Sequence, residues 1–192
     1  MNAEERGRKM AEKDTTLSNY EINPYTMMIR PAGDESSEVV EAGARYLISC
    51  KTFEIVKKSC EYFGSSYSGR RAGTKQLIGI THKAPIIVDP YTSIYLFPTA
   101  SPTSPQCAWI SHDYIASYKK NGPYSTIVTF QNSESFELPV SFYSLENQVS
   151  RTAMLRIKFT QNMKRMEHFN KNPSHLLHNR ASEPNGAYWI NE

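Results

Sequence analysis

The sequence predicts an α+β fold. The expected body is a β-rich central domain, an antiparallel or mixed sheet, with two amphipathic helices and disordered or loosely packed termini. Three observations carry this. Short runs rich in Ile, Val, Tyr and Phe recur between turn residues from Tyr20 to Leu138. Two stretches, after Thr52 and after Ser144, instead repeat apolar residues at helical spacing. The two ends are polar and show neither period, apart from Tyr188-Trp189-Ile190. The expected organisation is a mobile segment 1–16, a single domain 17–170 and a flexible tail 171–192.

Along the chain, Tyr20-Glu21-Ile22 opens a β-like segment that residues 25–30 continue, with Pro24 and Pro31 as punctuation. Residues 38–41 and 45–50 read as a hairpin around an Ala-Gly turn. Thr52 is placed to cap a helix whose apolar residues Phe53, Val56, Cys60 and Phe63 fall at spacing 3, 4, 3. Gly64 stands where a left-handed residue ends such a helix. Residues 76–80, 86–88, 94–97 and 108–111 read as strands, with Asp89-Pro90 as a turn and 98–106 as a Pro-rich loop. Asn121-Gly122-Pro123 is a turn, and 126–130 with 135–138 form a second hairpin. Ser144 opens a long helix. Its expected buried face is Leu145, Val149, Thr152, Leu155 and Phe159, extended by Met163 and Met166.

Charge is unevenly distributed. Residues 1–43 hold five Lys/Arg against nine Asp/Glu, a balance of −4; residues 44–170 hold fifteen against eight, a balance of +7. A basic body points to a polyanion, although a solubilising surface has the same composition. The three cysteines, Cys50, Cys60 and Cys107, suit free thiols in a reducing compartment. No stretch approaches the roughly 20 apolar residues of a membrane span. The chain reads as soluble and cytosolic.

The strongest chemical signal is Phe63-Gly64-Ser65-Ser66-Tyr67-Ser68-Gly69-Arg70-Arg71-Ala72-Gly73-Thr74-Lys75, with three glycines, three basic side chains and no carboxylate. Its glycines argue against a regular helix and for an anion-binding loop. It follows a helix rather than leading into one, so neither a Walker loop nor a dinucleotide fingerprint fits. Arg70 and Arg71 could enter a narrow AT-rich minor groove as an arm. Ser65 and Ser66 add small polar groups, and Tyr67 could stack on bases. Lys75 and Lys83, with Arg151 and Lys158 on the last helix, could hold phosphates, although a basic helical stripe is also an ordinary solvated face. Ser65/Ser66, His82 and Asp89 supply the residue types of a hydrolase triad without a Gly-x-Ser-x-Gly elbow. The Cys and His residues lack the close spacing of structural zinc sites.

The run from Phe63 to Thr74 resembles the signature of the ComK family of competence transcription factors. The resemblance continues through Thr81-His82-Lys83, Pro85-Ile86-Ile87-Val88-Asp89-Pro90 and Leu96-Phe97-Pro98-Thr99. Beyond these come Pro105-Gln106-Cys107-Ala108-Trp109-Ile110-Ser111-His112, Glu137-Leu138-Pro139-Val140-Ser141 and Glu146-Asn147-Gln148-Val149-Ser150-Arg151-Thr152-Ala153. It covers roughly residues 45–160. The resemblance implies a bacterial transcriptional activator of genes for DNA uptake and recombination. It implies binding of paired AT-rich boxes on double-stranded DNA, largely through the minor groove, by homodimers that assemble into tetramers. RNA polymerase and a Clp protease adaptor follow as partners, and the nucleoid as location. No enzyme activity and no cofactor comes with the family. Reading the residues alone leaves a second class open, a non-enzymatic adaptor or scaffold whose basic face meets an acidic protein.

Overall fold

The computed structural model describes residues 15–171, with side-chain surroundings for 17–168. The rest of the expected mobile N-terminal segment and C-terminal tail lies outside the described residues. Strands β1 (Thr15–Leu17), β2 (Thr26–Pro31), β3 (Ser37–Glu41), β4 (Arg45–Ile48), β5 (Ile86–Asp89), β6 (Ile94–Pro98) and β7 (Trp109–Ser111) form a seven-stranded sheet. Its order is β1-β4-β3-β2-β7-β6-β5. Every neighbouring pair is antiparallel except β1 with β4. A second, antiparallel sheet has the order β10-β9-β8, from β8 (Ile115–Lys120), β9 (Thr126–Phe130) and β10 (Ser135–Leu138). The helices are α1 (Thr52–Tyr62), α2 (Tyr67–Ile78) and α3 (Phe142–Lys171). This is the α+β class expected, with three α-helices among the described residues in place of two.

The large sheet is buried on both faces. Ile29, Val39, Ile48, Ile86, Val88, Ile94, Leu96 and Trp109 pack with Ile55, Val56 and Cys60 of α1. Met28, Val40, Phe97 and Ile110 point the other way, into a cluster with Val128, Phe130, Phe136 and Leu138 of the small sheet and Leu145 of α3. The period-2 alternation of Val39/Val40 and Phe97/Leu96 is what divides them. The helix layer, large sheet and small sheet are therefore stacked through two apolar interfaces. Burial pushes the thiols of Cys60 and Cys107 up to about 11.

Several local expectations are corrected. Residues 64–75 are not an extended loop, because 67–78 is α2, and the strand expected at 76–80 is its last turn. Thr52 does not cap α1. Lys51 occupies that position, and the Thr52 hydroxyl donates to the Cys107 carbonyl at 3.0 Å. Residues 20–22 make no strand, yet Tyr20 and Ile22 are buried, and the Tyr20 hydroxyl donates to Glu41 at 2.6 Å. Thr15 and Thr16 belong to β1, although the sequence placed them in the mobile segment. β8 was not expected at all. Helix α3 begins two residues before Ser144.

The chain divides between Leu155 and Arg156, inside α3 and inside the 17–170 span read as one domain. The unit ending at Leu155 contains both sheets, α1 and α2. In the unit from Arg156, Phe159 is half-buried while Met163 and Met166 are exposed, so the buried stripe does not extend to the two methionines.

Thiol chemistry checks this burial. A thiol reagent at neutral pH should modify half-buried Cys50 first, and Cys60 and Cys107 only on unfolding, since both are buried and almost fully protonated. Mass mapping of the labelled native protein measures it, and early labelling of Cys60 or Cys107 would contradict the packing.

Candidate nucleic-acid interface

Helix α2 forms despite Gly69 and Gly73 because its ends and inner face are held. The Ser66 hydroxyl caps it, accepting from the Gly69 N–H at 3.0 Å. Gly79 stops it in the left-handed conformation at φ 73°. Tyr67 packs edge-on against Phe53 and Trp109, with ring centroids 4.9 and 6.1 Å away. The buried Thr74 hydroxyl donates to the Pro85 carbonyl at 2.7 Å, tying the helix to β5. Each helical glycine costs about 1 kcal/mol relative to alanine; these tertiary contacts outweigh that.

The helix separates the two adjacent arginines. Arg70 turns inward, where its Nη2 donates to the Phe63 carbonyl at 3.3 Å and its Nε is buried without a partner among the described residues. Arg71 lies outside, donating to the Thr81 carbonyl through Nε and Nη2 at 3.3 and 3.0 Å. Neither guanidinium hangs on a free arm. Ser68, Arg71, Ala72, Lys75 and Thr81 line one recess of about 280 Å³. Ser68, Arg71, Ala72, Gly73, Lys75 and Gln76 form the exposed outer face.

The next basic group joins through the α2–β5 connection. Lys83 is exposed and left-handed, at φ 48°. Its carbonyl accepts from the Gln148 side-chain amide of α3 at 2.9 Å, and the same nitrogen donates to the Pro98 carbonyl at 2.6 Å. Arg151 follows Gln148 by three residues on the same helix. The elements that carry Arg71, Lys75, Lys83 and Arg151 are thereby tied to one another. Lys158 is exposed and belongs to the unit that starts at Arg156. Ser65 is half-buried beside the cap, and Tyr67 spends its ring on the core, where burial raises its hydroxyl pKa.

Among the described residues no hydrogen bond joins Ser65 or Ser66, His82 and Asp89 to one another. Ser66 is engaged as a cap and with Ser68 at 2.9 Å, while the Asp89 carboxylate accepts from the Tyr91 and Thr92 N–H groups at 3.1 and 2.9 Å. Among the described residues no three His, Cys, Asp or Glu side chains gather as a metal site. None of the described helices is long and apolar enough to cross a membrane. Two cations escaped the sequence reading, Lys119 and Lys120 at the end of β8. The available signal was the absence of any carboxylate from 114 to 133.

Linked cations on a packed α+β body make a surface of the kind that polyanions bind. The chain belongs to the ComK protein family, whose model matches residues 17–164. It is 46% identical over 154 residues to the competence transcription factor of Bacillus subtilis (strain 168), covering 78% of this chain and 80% of that protein. The match reaches well before residue 45, where the sequence resemblance was first legible. No solved structure matches.

Two substitutions in α2 should have opposite effects. Ser66→Ala removes the cap and should cost about 0.5–2 kcal/mol. Gly73→Ala places a Cβ where nothing lies within 4 Å and should stabilise by up to about 1 kcal/mol. Urea denaturation of both variants checks the assignment; destabilisation by Gly73→Ala would contradict a helix at this position.

Proposed function

We propose that this protein is a DNA-binding transcriptional activator of competence genes, those for DNA uptake and recombination, and that it holds duplex phosphates along the α2 edge. The observation that carries the reading is that Arg71, Lys75, Lys83 and Arg151 stand on elements tied together at the α2–β5 connection, where the Thr81 carbonyl accepts from Arg71 and the Lys83 carbonyl from Gln148 of α3. Its family membership supports the same class. None of these four side chains forms an ion pair between described residues. They are available to displace counterions from DNA, the main source of affinity for a charged duplex.

The helical state of α2 changes how it would meet DNA. An α-helix with side chains is about 10–12 Å across, whereas the minor groove is about 6 Å wide. Helix α2 therefore suits the backbone or the major groove. Selection of AT-rich boxes through the minor groove belongs to a thinner element or to the shape of the duplex. Paired boxes call for a homodimer or tetramer. Activation in the bacterial cytoplasm calls for contact with RNA polymerase, and removal for a Clp protease adaptor. These partners complete the proposal.

The test is binding of AT-rich against GC-rich duplexes over a salt series, with the parent chain and an Arg71→Gln/Lys75→Gln variant. The parent should prefer the AT-rich duplex. The variant should bind more weakly, and its log K against log salt slope should flatten by about 1.8 if both side chains contact phosphates. An unchanged slope would remove α2 from the interface. Absence of duplex binding by the parent at low salt would instead favour the acidic-protein scaffold.

A further inference from the structure

The β8–β9 hairpin has features that the α2 edge does not explain. Residues 114–133 contain Lys119 and Lys120 and no carboxylate. Both lysines are exposed and enter no ion pair between described residues. The tip beyond them is Asn121-Gly122-Pro123-Tyr124-Ser125. Gly122 has φ 81°, a conformation that favours glycine, and Tyr124 is 82% exposed. The tip is nevertheless fixed. The Asn121 N–H donates to the Ser125 carbonyl at 3.0 Å, and the Ser125 hydroxyl donates back to the Asn121 carbonyl. Below it the Thr126 hydroxyl donates to the Val140 carbonyl at 2.8 Å, and Tyr118 packs on Phe142 of α3 with ring centroids 5.5 Å apart.

An exposed tyrosine and proline at the tip that joins β8 to β9, the central strand of the small sheet, with a lysine pair behind them, belong to neither apolar cluster of the described residues. The nearest opposing charge on the same sheet is Glu137. It pairs with Ile127, which in turn pairs with Lys119, so a strand lies between Glu137 and that lysine, while Glu137 borders the recess lined by Pro123 and Tyr124. The five-residue tip extends beyond the last register pairs of the small sheet, Lys120 with Thr126 and Thr126 with Leu138, and proline and other apolar side chains of such a tip can wedge at base steps in a groove. Cations flanking such a tip meet the phosphates on the groove wall.

We infer that the β8–β9 hairpin is a second contact with duplex DNA, with Lys119 and Lys120 on phosphates and Pro123 and Tyr124 at the base edges of a groove. This rests on the reading of the protein as a DNA binder. It adds an element on the small sheet, on the opposite side of the large sheet from α1. The two kinds of contact differ in how they answer salt. Charged contacts set the salt slope, while an uncharged contact at the bases shifts affinity equally at every salt concentration.

The experiment compares four full-length chains on one AT-rich duplex over a salt series by fluorescence anisotropy, with thermal melts as the folding control. The chains are the parent, Lys119→Gln/Lys120→Gln, Tyr124→Ser and Arg71→Gln/Lys75→Gln. The lysine variant should flatten the salt slope by about 1.8. Tyr124→Ser should lower affinity about tenfold, the scale of one aromatic contact to a base, with the slope unchanged. Parental affinity and slope in both hairpin variants, together with weakened binding in the Arg71/Lys75 variant, would overturn the hairpin contact and leave the α2 reading standing. Weakening in the hairpin variants alone would support the hairpin and remove α2. A parent without duplex affinity would overturn both. Should Tyr124→Ser melt early, the lysine variant decides by its slope.

Discussion

The middle strands of the large sheet bury side chains on both faces, Ile29, Leu96 and Trp109 towards the helices and Met28, Phe97 and Ile110 towards the small sheet. Strands with no wet face cannot slip by one residue without placing every side chain on the wrong side. That registry positions the surface features on either side. Trp109 gives Tyr67, and with it α2, a fixed seat. On the opposite face, Val128 and Phe130 hold β9 down, so the hairpin that continues from it projects from a rigid base.

Charge pairing is concentrated in one part of the described chain. Glu38 is shared by Arg30 and Arg45, at 2.5 and 3.6 Å. Glu134 reaches Arg45, Glu35 pairs with Lys51, and Glu54 pairs with Lys57. Four carboxylates, Glu35, Glu38, Glu54 and Glu134, are thus paired with cations around β2–β4 and α1. Exposed pairs of this kind contribute little stability, about 0–1 kcal/mol each, but they neutralise locally. Arg71, Lys75, Lys83, Lys119, Lys120 and Arg151 have no such partner among the described residues, so the field concentrates where they stand.

Strands were legible wherever apolar alternation was dense, as at Ile86–Asp89, Ile94–Pro98 and Thr126–Phe130. β8 was not, because Ile-Ala-Ser-Tyr-Lys-Lys carries only a weak alternation and its burial comes from Tyr118 meeting Phe142, far along the chain. Helix α2 was misread for the opposite reason. Its composition opposes a helix, and the contacts that impose one, Thr74 to Pro85 and Tyr67 to Trp109, are long in sequence. The site inherited that error. As an arm, Arg70 and Arg71 would act together; on a helix about 100° separates consecutive residues, which leaves Arg70 half-buried and Arg71 exposed. Of the cations expected at phosphates, Lys75 and Lys83 are exposed and Arg151 is half-buried. The tie between the Lys83 connection and α3 depends on the Gln148 side-chain amide, which no basic motif marks.

The order of the large sheet also governs how the chain reaches it. β2-β3-β4 and β5-β6-β7 are each local meanders, yet the seam that joins them, β2 to β7, has only two register pairs, Met28 with Ile110 and Ile29 with Trp109. Closing it requires about eighty intervening residues to be gathered first, and the entropy of that loop is lost before the seam returns anything. Each meander can assemble on its own, so the docking of two preformed halves is the slow, topology-limited event in folding. Trp109 stands at that seam, and its indole fluorescence reports the moment when the halves meet.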